Sequence, residues 1–413
     1  MTPPRTAAVA VSGDQANATT TMPVVSAGAN NAMTQEETTM KRTSPAGWCA
    51  MAIGVLAAAL ALPVAAQQIK IVSGDGPQHD GVKAMQEFAK WLGEKSGGKV
   101  TGRVFPQTLL SVKEIPAGLR DGVGDLGLIV HPYHRAEFPE ANFIADFSLF
   151  AKSNPAAAGA ATEYILTCDE CMQEMKKQGQ VYLGNIANAP YSLLSKKPLR
   201  TLADLKGIKV RSGGDAWSRW IEAMGAVSVS IPAAEAYQAL SQGVLDAHTH
   251  SIGSLVDQSL ADVVKNATDM PLGVYLGASM NYSAKNWATL SPEARKVVFD
   301  LAPYLLAKYV TNLRVAADTV RGKLGQLKVT LHQPSPELLA ANEQFLRKDE
   351  NTIVELSAKN SGIKNASQKA ARFVQLLAKW EKLTAGMPAD HQRLGDLYQK
   401  EIFSKLDVAK LGQ

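Results

Sequence analysis

Residues 204–247 read DLKGIKVRSGGDAWSRWIEAMGAVSVSIPAAEAYQALSQGVLDA, and the period of their apolar positions decides the fold class. Ile208 to Arg211 is a short strand, and Gly213-Gly214 turn it into the next element. In DAWSRWIEAMG the residues Trp217, Trp220, Ile221 and Met224 recur at three- and four-residue steps, so this stretch is a helix with one inward face. Val227 to Ile231 is a second strand. PAAEAYQALSQG is a second helix, with Pro232 at its start and Gly243 at its end, as helix termini prefer. Strand, helix, strand, helix is the signature of an α/β layer.

Upstream the same order occurs once already. Ile69 to Ser73 is a strand, the loop GDGPQHDG follows, and Val82, Met85, Phe88, Ala89 and Leu92 form one face of a helix that Gly97-Gly98 ends. Val100 to Phe105, a helix around Val112 to Asp121 and the apolar run GDLGLIV complete the unit. After the helical segment TEYILTCDECMQEMKKQG comes another strand, Gln180 to Ala187. Two α/β units therefore stand in tandem. The C-terminal part is helical and amphipathic, with a long helix from Ser291 expected to break near Pro303, a short strand Lys328 to His332, and further helix opened by Ser335-Pro336-Glu337.

The chain has 413 residues, 46% of them hydrophobic and 20% charged, and a formal charge of +5 without any run of five like charges. Nucleic acid is thereby excluded as an expected partner, and no fixed period supports a repeat architecture. One uncharged apolar stretch exists, Ala50 to Ala66. Met40-Lys41-Arg42 before it and Val64-Ala65-Ala66 at its end make residues 40–66 a signal peptide cut after Ala66, so 347 of the 413 residues remain. Residues 1–39, without an aromatic side chain, read as a disordered or untranslated extension. Export leaves Cys168 and Cys171 in an oxidising compartment, on one face of a helix by spacing, as either a local disulfide or two packed thiols. A thioredoxin-type site needs its first cysteine at a helix start after a strand, which this segment lacks.

Few motifs carry chemistry. Gly122, Gly124 and Gly127 spell GxGxxG, but a helix precedes them and a strand follows, the reverse of what a pyrophosphate site requires. There is no GxSxG, no Walker lysine and no HExxH. The best candidate is Arg211, carried to the C-terminal end of its strand, where open α/β sheets bind ligands. Its planar fork suits a carboxylate, and the following helix N-terminus is expected to add amide donors; a structural ion pair with Asp215 or Glu235 is the alternative. His248 and His250 point the same way from an extended segment, yet no third metal ligand is identifiable. Tyr133, Tyr237, Tyr275, Tyr282 and Trp287 could wall a pocket or fill the core.

LADLKGIKVR followed by MGAVSVSIPAAEAYQALSQGVLDA, with GPQHDGVKAMQEFAKWLGEKSGGKV and GLRDGVGDLGLI upstream, resembles the DctP-type periplasmic solute-binding subunit of tripartite ATP-independent periplasmic (TRAP) transporters. The resemblance implies an α/β, two-lobed periplasmic binding protein, type II-like, with hinge-crossing strands and a long helix bracing both lobes. The expected division is residues 67–188 plus 276–315 for lobe I, and 189–275 plus 316–413 for lobe II and the C-terminal helices. It further implies that Arg211 clamps the carboxylate of a small organic acid, delivered to TRAP permease subunits in the membrane, with no cofactor, no metal and no catalysis. A ligand-sensing partner of a membrane receptor, or a periplasmic enzyme, is the competing reading. Tyr191 stands where many acid-sugar binders place a further arginine, and His250 where an asparagine is frequent, so a sialate-like ligand is disfavoured. The expected binding set is Arg211, His250, Tyr191, Asn188, Trp217, His79 and Tyr237.

Overall fold

The computed structural model describes residues 66–412. The expected extension 1–39 and all but the last residue of the expected signal 40–66 lie outside the described residues. Eleven strands are found among them: β1 (Gln67–Ser73), β2 (Val100–Pro106), β3 (Leu126–Val130), β4 (Gln180–Ile186), β5 (Tyr191–Ser195), β6 (Lys209–Ser212), β7 (Val227–Ser230), β8 (Ala247–Ser251), β9 (Asn266–Thr268), β10 (Ala278–Ser283) and β11 (Thr330–His332). The helices of the first half are α1 (Asp80–Ser96), α2 (Ile115–Asp121), α3 (Pro139–Ala145), α4 (Asn154–Leu166), α5 (Asp169–Lys177), α6 (Leu202–Leu205) and α7 (Asp215–Ala223). The remainder are α8 (Ala236–Ser241), α9 (Ser254–Asp257), α10 (Ala284–Trp287), α11 (Pro292–Gly322), α12 (Pro336–Ser361), α13 (Ala366–Thr384) and α14 (His391–Glu401).

The strands form two sheets, β2-β1-β3-β10-β4 and β11-β9-β5-β8-β6-β7. In the first, β1 runs parallel to β2 and β3 while β10 is antiparallel to β3 and β4. In the second, β6 lies parallel to β7 and β8, and β5 is antiparallel to β8 and β9. Each sheet is the core of one lobe. β10 belongs to the first sheet although it follows five strands of the second, so the chain passes between lobes more than once. Residues 187–190 and 269–277 make two of these passages side by side, joined by bonds from Asn188 N to Tyr275 O and from Tyr191 N to Gly273 O, both 2.9 Å.

The helix over 291–322 departs from expectation. It runs unbroken through Pro303, which is buried within α11. Packing of α11 against α1, α14, β4, α4 and α9 outweighs the hydrogen bond that proline removes. The approach to α1 is close: a Cβ on Gly81 would fall 2.1 Å from Tyr309 Cζ, so only glycine fits under that ring.

The segment around the cysteines is two helices, not one. Thr167-Cys168 interrupts it, the Cys168 sulfur caps α5 by accepting from Cys171 N at 3.2 Å, and the two cysteines are joined in a disulfide. The C-terminal helices pack over the preceding elements. α13 packs on α4 and α14 on α11, both elements of the first lobe, while α12 reaches α3, α7 and α13. The reason lies in α4, NPAAAGAATEYIL, which is apolar nearly all round and needs cover on a second side. Phe373 supplies it against Phe147 and Tyr164, and Trp380 against Gly159, where a Cβ would fall 2.4 Å from the indole.

Candidate functional site

β6 is flanked on both sides by parallel neighbours, so its C-terminal end opens into the crevice that such sheets leave at the strand ends. Arg211 is carried there and is 1% exposed. Its Nε donates to Ile231 O and one terminal nitrogen to the Tyr133 hydroxyl, both at 2.9 Å. Tyr133 follows β3 of the first lobe and also accepts from Ala233 N at 3.2 Å, so one phenol oxygen ties the arginine to the opposite sheet. No carboxylate among the described residues lies within ion-pair distance of Arg211. The alternative partner Asp215 is instead held by Arg135, 3.1 Å away.

Burying an arginine without a counter-charge is costly, and such groups are ordinarily paired. The guanidinium lines a cavity of about 80 Å3. That is small beside the roughly 300–1,000 Å3 of drug-sized ligand sites, so the space as it stands fits a compact ligand. Both lobes contribute walls: Asp75, His79 and Tyr133 come from the first, Tyr191, His250 and Gln258 from the second.

Tyr191 is the flat face of this space. Its ring stacks on His250 with centroids 4.9 Å apart and lies tilted against Trp217 at 4.8 Å, and His250 in turn stacks on His248 at 5.0 Å. Burial pushes the His250 imidazole down to about 3, with the Arg211 charge adding to the effect, and His248 is lowered for the same two reasons. Both rings are therefore neutral at pH 7. Burial also raises the phenols of Tyr191 and Tyr275 far above their ordinary value, which keeps them as hydroxyl donors. Among the described residues the one cluster of three potential metal ligands is Glu140 with Cys168 and Cys171, whose sulfurs are already bonded to each other.

Of the seven expected residues, five line the cavity: Arg211, His250, Tyr191, Asn188 and His79. Trp217 stands behind them. It is 1% exposed, stacks on Tyr275 and lies tilted against Tyr191, and its Nε1 donates to Leu272 O at 3.0 Å, so it holds the aromatic wall without reaching the space. Tyr237 does not line this cavity. α8 buries Ala236 and Leu240, which turns Tyr237 outward, 40% exposed. The expected amide donors of the helix after Arg211 are also absent from the lining, because the first turn of α7 faces Arg135 through Asp215. Tyr282 and Trp287 pack edge-on in the core, 5.2 Å apart.

Asp75, Gln258 and Tyr309 line the cavity without having been singled out by sequence. Asp75 carried a usable signal, since it lies in the loop after a first strand whose C-terminal end must face the same crevice as Arg211. Gln258, at the end of a four-residue helix, and Tyr309, in mid-helix, offered none.

The family model for bacterial extracellular solute-binding proteins, family 7 (DctP), matches residues 71–354. The chain belongs to this family. Family 7 is a family of binding proteins, and no helix among the described residues is long and apolar enough to cross a membrane. A solute-binding protein of Albidiferax ferrireducens is 26% identical over 223 residues, 54% of this chain and 62% of that protein, so the match spans less than two thirds of the relative's length. Among solved structures, a TRAP periplasmic solute-binding protein of Bordetella bronchiseptica with bound mandelate has a TM-score of 0.67 at 22% identity, covering 76% of this chain and 99% of that one. An extracytoplasmic solute receptor of Bordetella pertussis binding pyroglutamic acid has a TM-score of 0.58 at 22% identity, covering 81% and 100%. At that identity the likeness is one of fold, the two-lobed α/β architecture seen in the two sheets.

Proposed function

We infer that this family 7 protein is a periplasmic receptor for a small carboxylate, which Arg211 clamps between the lobes for delivery to a TRAP-type secondary transporter. The observation that carries the reading is a guanidinium 1% exposed, lining a cavity, with no carboxylate partner among the described residues. A ligand carboxylate supplies the missing counter-charge through charge-assisted hydrogen bonds. As the lobes close over it water leaves, and the same bonds strengthen in the lowered dielectric. The neutral rings of Tyr191 and His250 give the ligand body a flat surface and add no competing charge.

Mandelate and pyroglutamate, named with the two structural neighbours, are both small carboxylates, which agrees with this chemistry. The signal-like segment 40–66 supports export to the periplasm. The two sheets support lobes built from residues 67–188 plus 276–315 and from 189–275 with the chain beyond 316, the C-terminal helices folding back onto the first. Calorimetric titration of the purified protein with small organic acids tests the reading. Heat of binding is expected with one or more of them, with affinity roughly tenfold to a hundredfold lower in Arg211→Ala; unchanged affinity in that variant would sink the assignment.

A further inference from the structure

The cavity has a second polar wall of opposite character. Asp75, at the end of β1, and Gln258, just after α9, line the same space as Arg211. The Gln258 Oε1 is fully buried and has no hydrogen-bond partner. The Asp75 carboxylate receives no side-chain hydrogen bond from any described residue; its own main-chain N–H is occupied by Ser73 Oγ at 3.0 Å. The nearest basic nitrogen to it is His79 Nδ1 at 3.9 Å, but that atom already accepts from Gly81 N at 3.1 Å. A nitrogen that accepts has no proton to offer, so Nδ1 is not a donor to Asp75, and the other ring nitrogen, Nε2, lies 3.6 Å from Asp257. Asp75, its side chain 32% exposed, is therefore left without a side-chain donor from the described residues. The Tyr275 hydroxyl and His250 Nδ1, also on the lining, are buried and unpartnered as well.

Among the described residues that line the cavity, Arg211 is the sole lysine or arginine. One carboxylate can thus meet a fixed cation, and a second would share the space with the Asp75 carboxylate. From this we propose that the ligand is a monocarboxylate bearing an O–H or N–H donor besides its acid group, received by Gln258 and Asp75, and that dicarboxylates are refused. The proposal rests on Arg211 as the carboxylate clamp. Its physical content is the cost of unmet acceptors: a buried carbonyl oxygen and a carboxylate both gain from a donor and both lose when faced with a second anion. Specificity here comes as much from the repulsive element, Asp75, as from the attractive one.

The test uses the full purified chain, freed of co-purifying ligand, and two matched sets of acids. One is benzoate, 3-hydroxybenzoate and isophthalate; the other is butanoate, 3-hydroxybutanoate and glutarate. Within whichever set fits, calorimetry is expected to rank the hydroxylated acid at least about tenfold tighter than its parent, with the dicarboxylate weakest. Gln258→Leu should erase the advantage of the hydroxyl, and Asp75→Asn should raise the affinity for the dicarboxylate by about tenfold or more. Thermal melts of both variants establish that they fold. A dicarboxylate or an unsubstituted acid ranking first, or the ranking surviving both substitutions, overturns the proposal; if Arg211→Ala still weakens binding about tenfold or more in that case, the clamp stands and only the donor wall falls. If no acid of either set binds the wild-type protein, the clamp and the donor wall fall together.

Discussion

Arg211 and Arg219 lie eight residues apart, one on β6 and one on α7, and both are largely withdrawn from solvent. Their partners differ completely. Arg219 makes a two-pronged contact with Asp349 of α12, at 2.7 and 2.9 Å, and stands 3.5 Å from Asp146. Arg211 has a main-chain carbonyl and a phenol. The first arginine is a rivet whose charge is answered inside the chain, joining α7 to the long C-terminal helix. The second lines a cavity and has no carboxylate partner among the described residues, and the proposed binding role rests on that difference. Burial alone does not separate the two; the counter-charge does.

The sharpest way to break the comparison is to remove each arginine. Arg219→Ala leaves Asp349 buried and uncompensated, so it should lower the stability of the ligand-free protein by about 3–5 kcal/mol in denaturant titrations. Arg211→Ala should behave in the opposite manner. Stability of the empty protein is expected to change by no more than about 1 kcal/mol, while affinity for the bound acid falls roughly tenfold to a hundredfold, the worth of hydrogen bonds to a charged group. Arg211→Lys should not restore it, because a point charge does not reproduce the planar fork. If Arg211→Ala instead unfolds the protein, the two arginines are alike and the distinction fails.

A smaller effect concerns the histidine beside Arg211. His250 is held at about 3 in the folded protein against 6.5 unfolded, so below pH 6.5 the unfolded chain takes up a proton that the folded chain refuses. Stability is therefore lost as pH falls from 6.5 towards 3 and is unaffected by this group above 6.5. At pH 5 its share is about 2 kcal/mol, and His250→Asn should flatten the fall measured between pH 7 and pH 5 by about that amount. The smallest effect belongs to the half-exposed pair Arg135–Asp215, at 3.1 Å. Asp215→Asn should cost about 0.2–1 kcal/mol in low salt and less in high salt.

How much of this was legible beforehand depended on how local the information was. Arg211 at a strand end beside Gly213-Gly214 and His250 on an extended segment follow from short-range pattern, Tyr191 was pointed to by the family resemblance alone, and all three reach the cavity. Tyr237 did not follow, because on a six-residue helix the buried face is chosen by what packs beneath it. Trp217 was rightly placed inward but stops one layer short of the space. Pro303 was misread as a break for the same kind of reason: the proline rule is local, whereas the packing that holds α11 straight through it comes from residues far away in sequence.

The sequence by itself determined the α/β class, the tandem units, the absence of catalytic and nucleotide motifs and the identity of the arginine to watch, since period, turn residues and strand ends are written within a few residues. Tertiary structure alone decided that Arg211 has no counter-charge among the described residues, that Asp75 and Gln258 line one cavity with it, and that α13 and α14 pack on α4 and α11. Those facts are relations between segments far apart in the sequence. They arise only when burial brings the segments together and leaves some polar groups paired and others waiting.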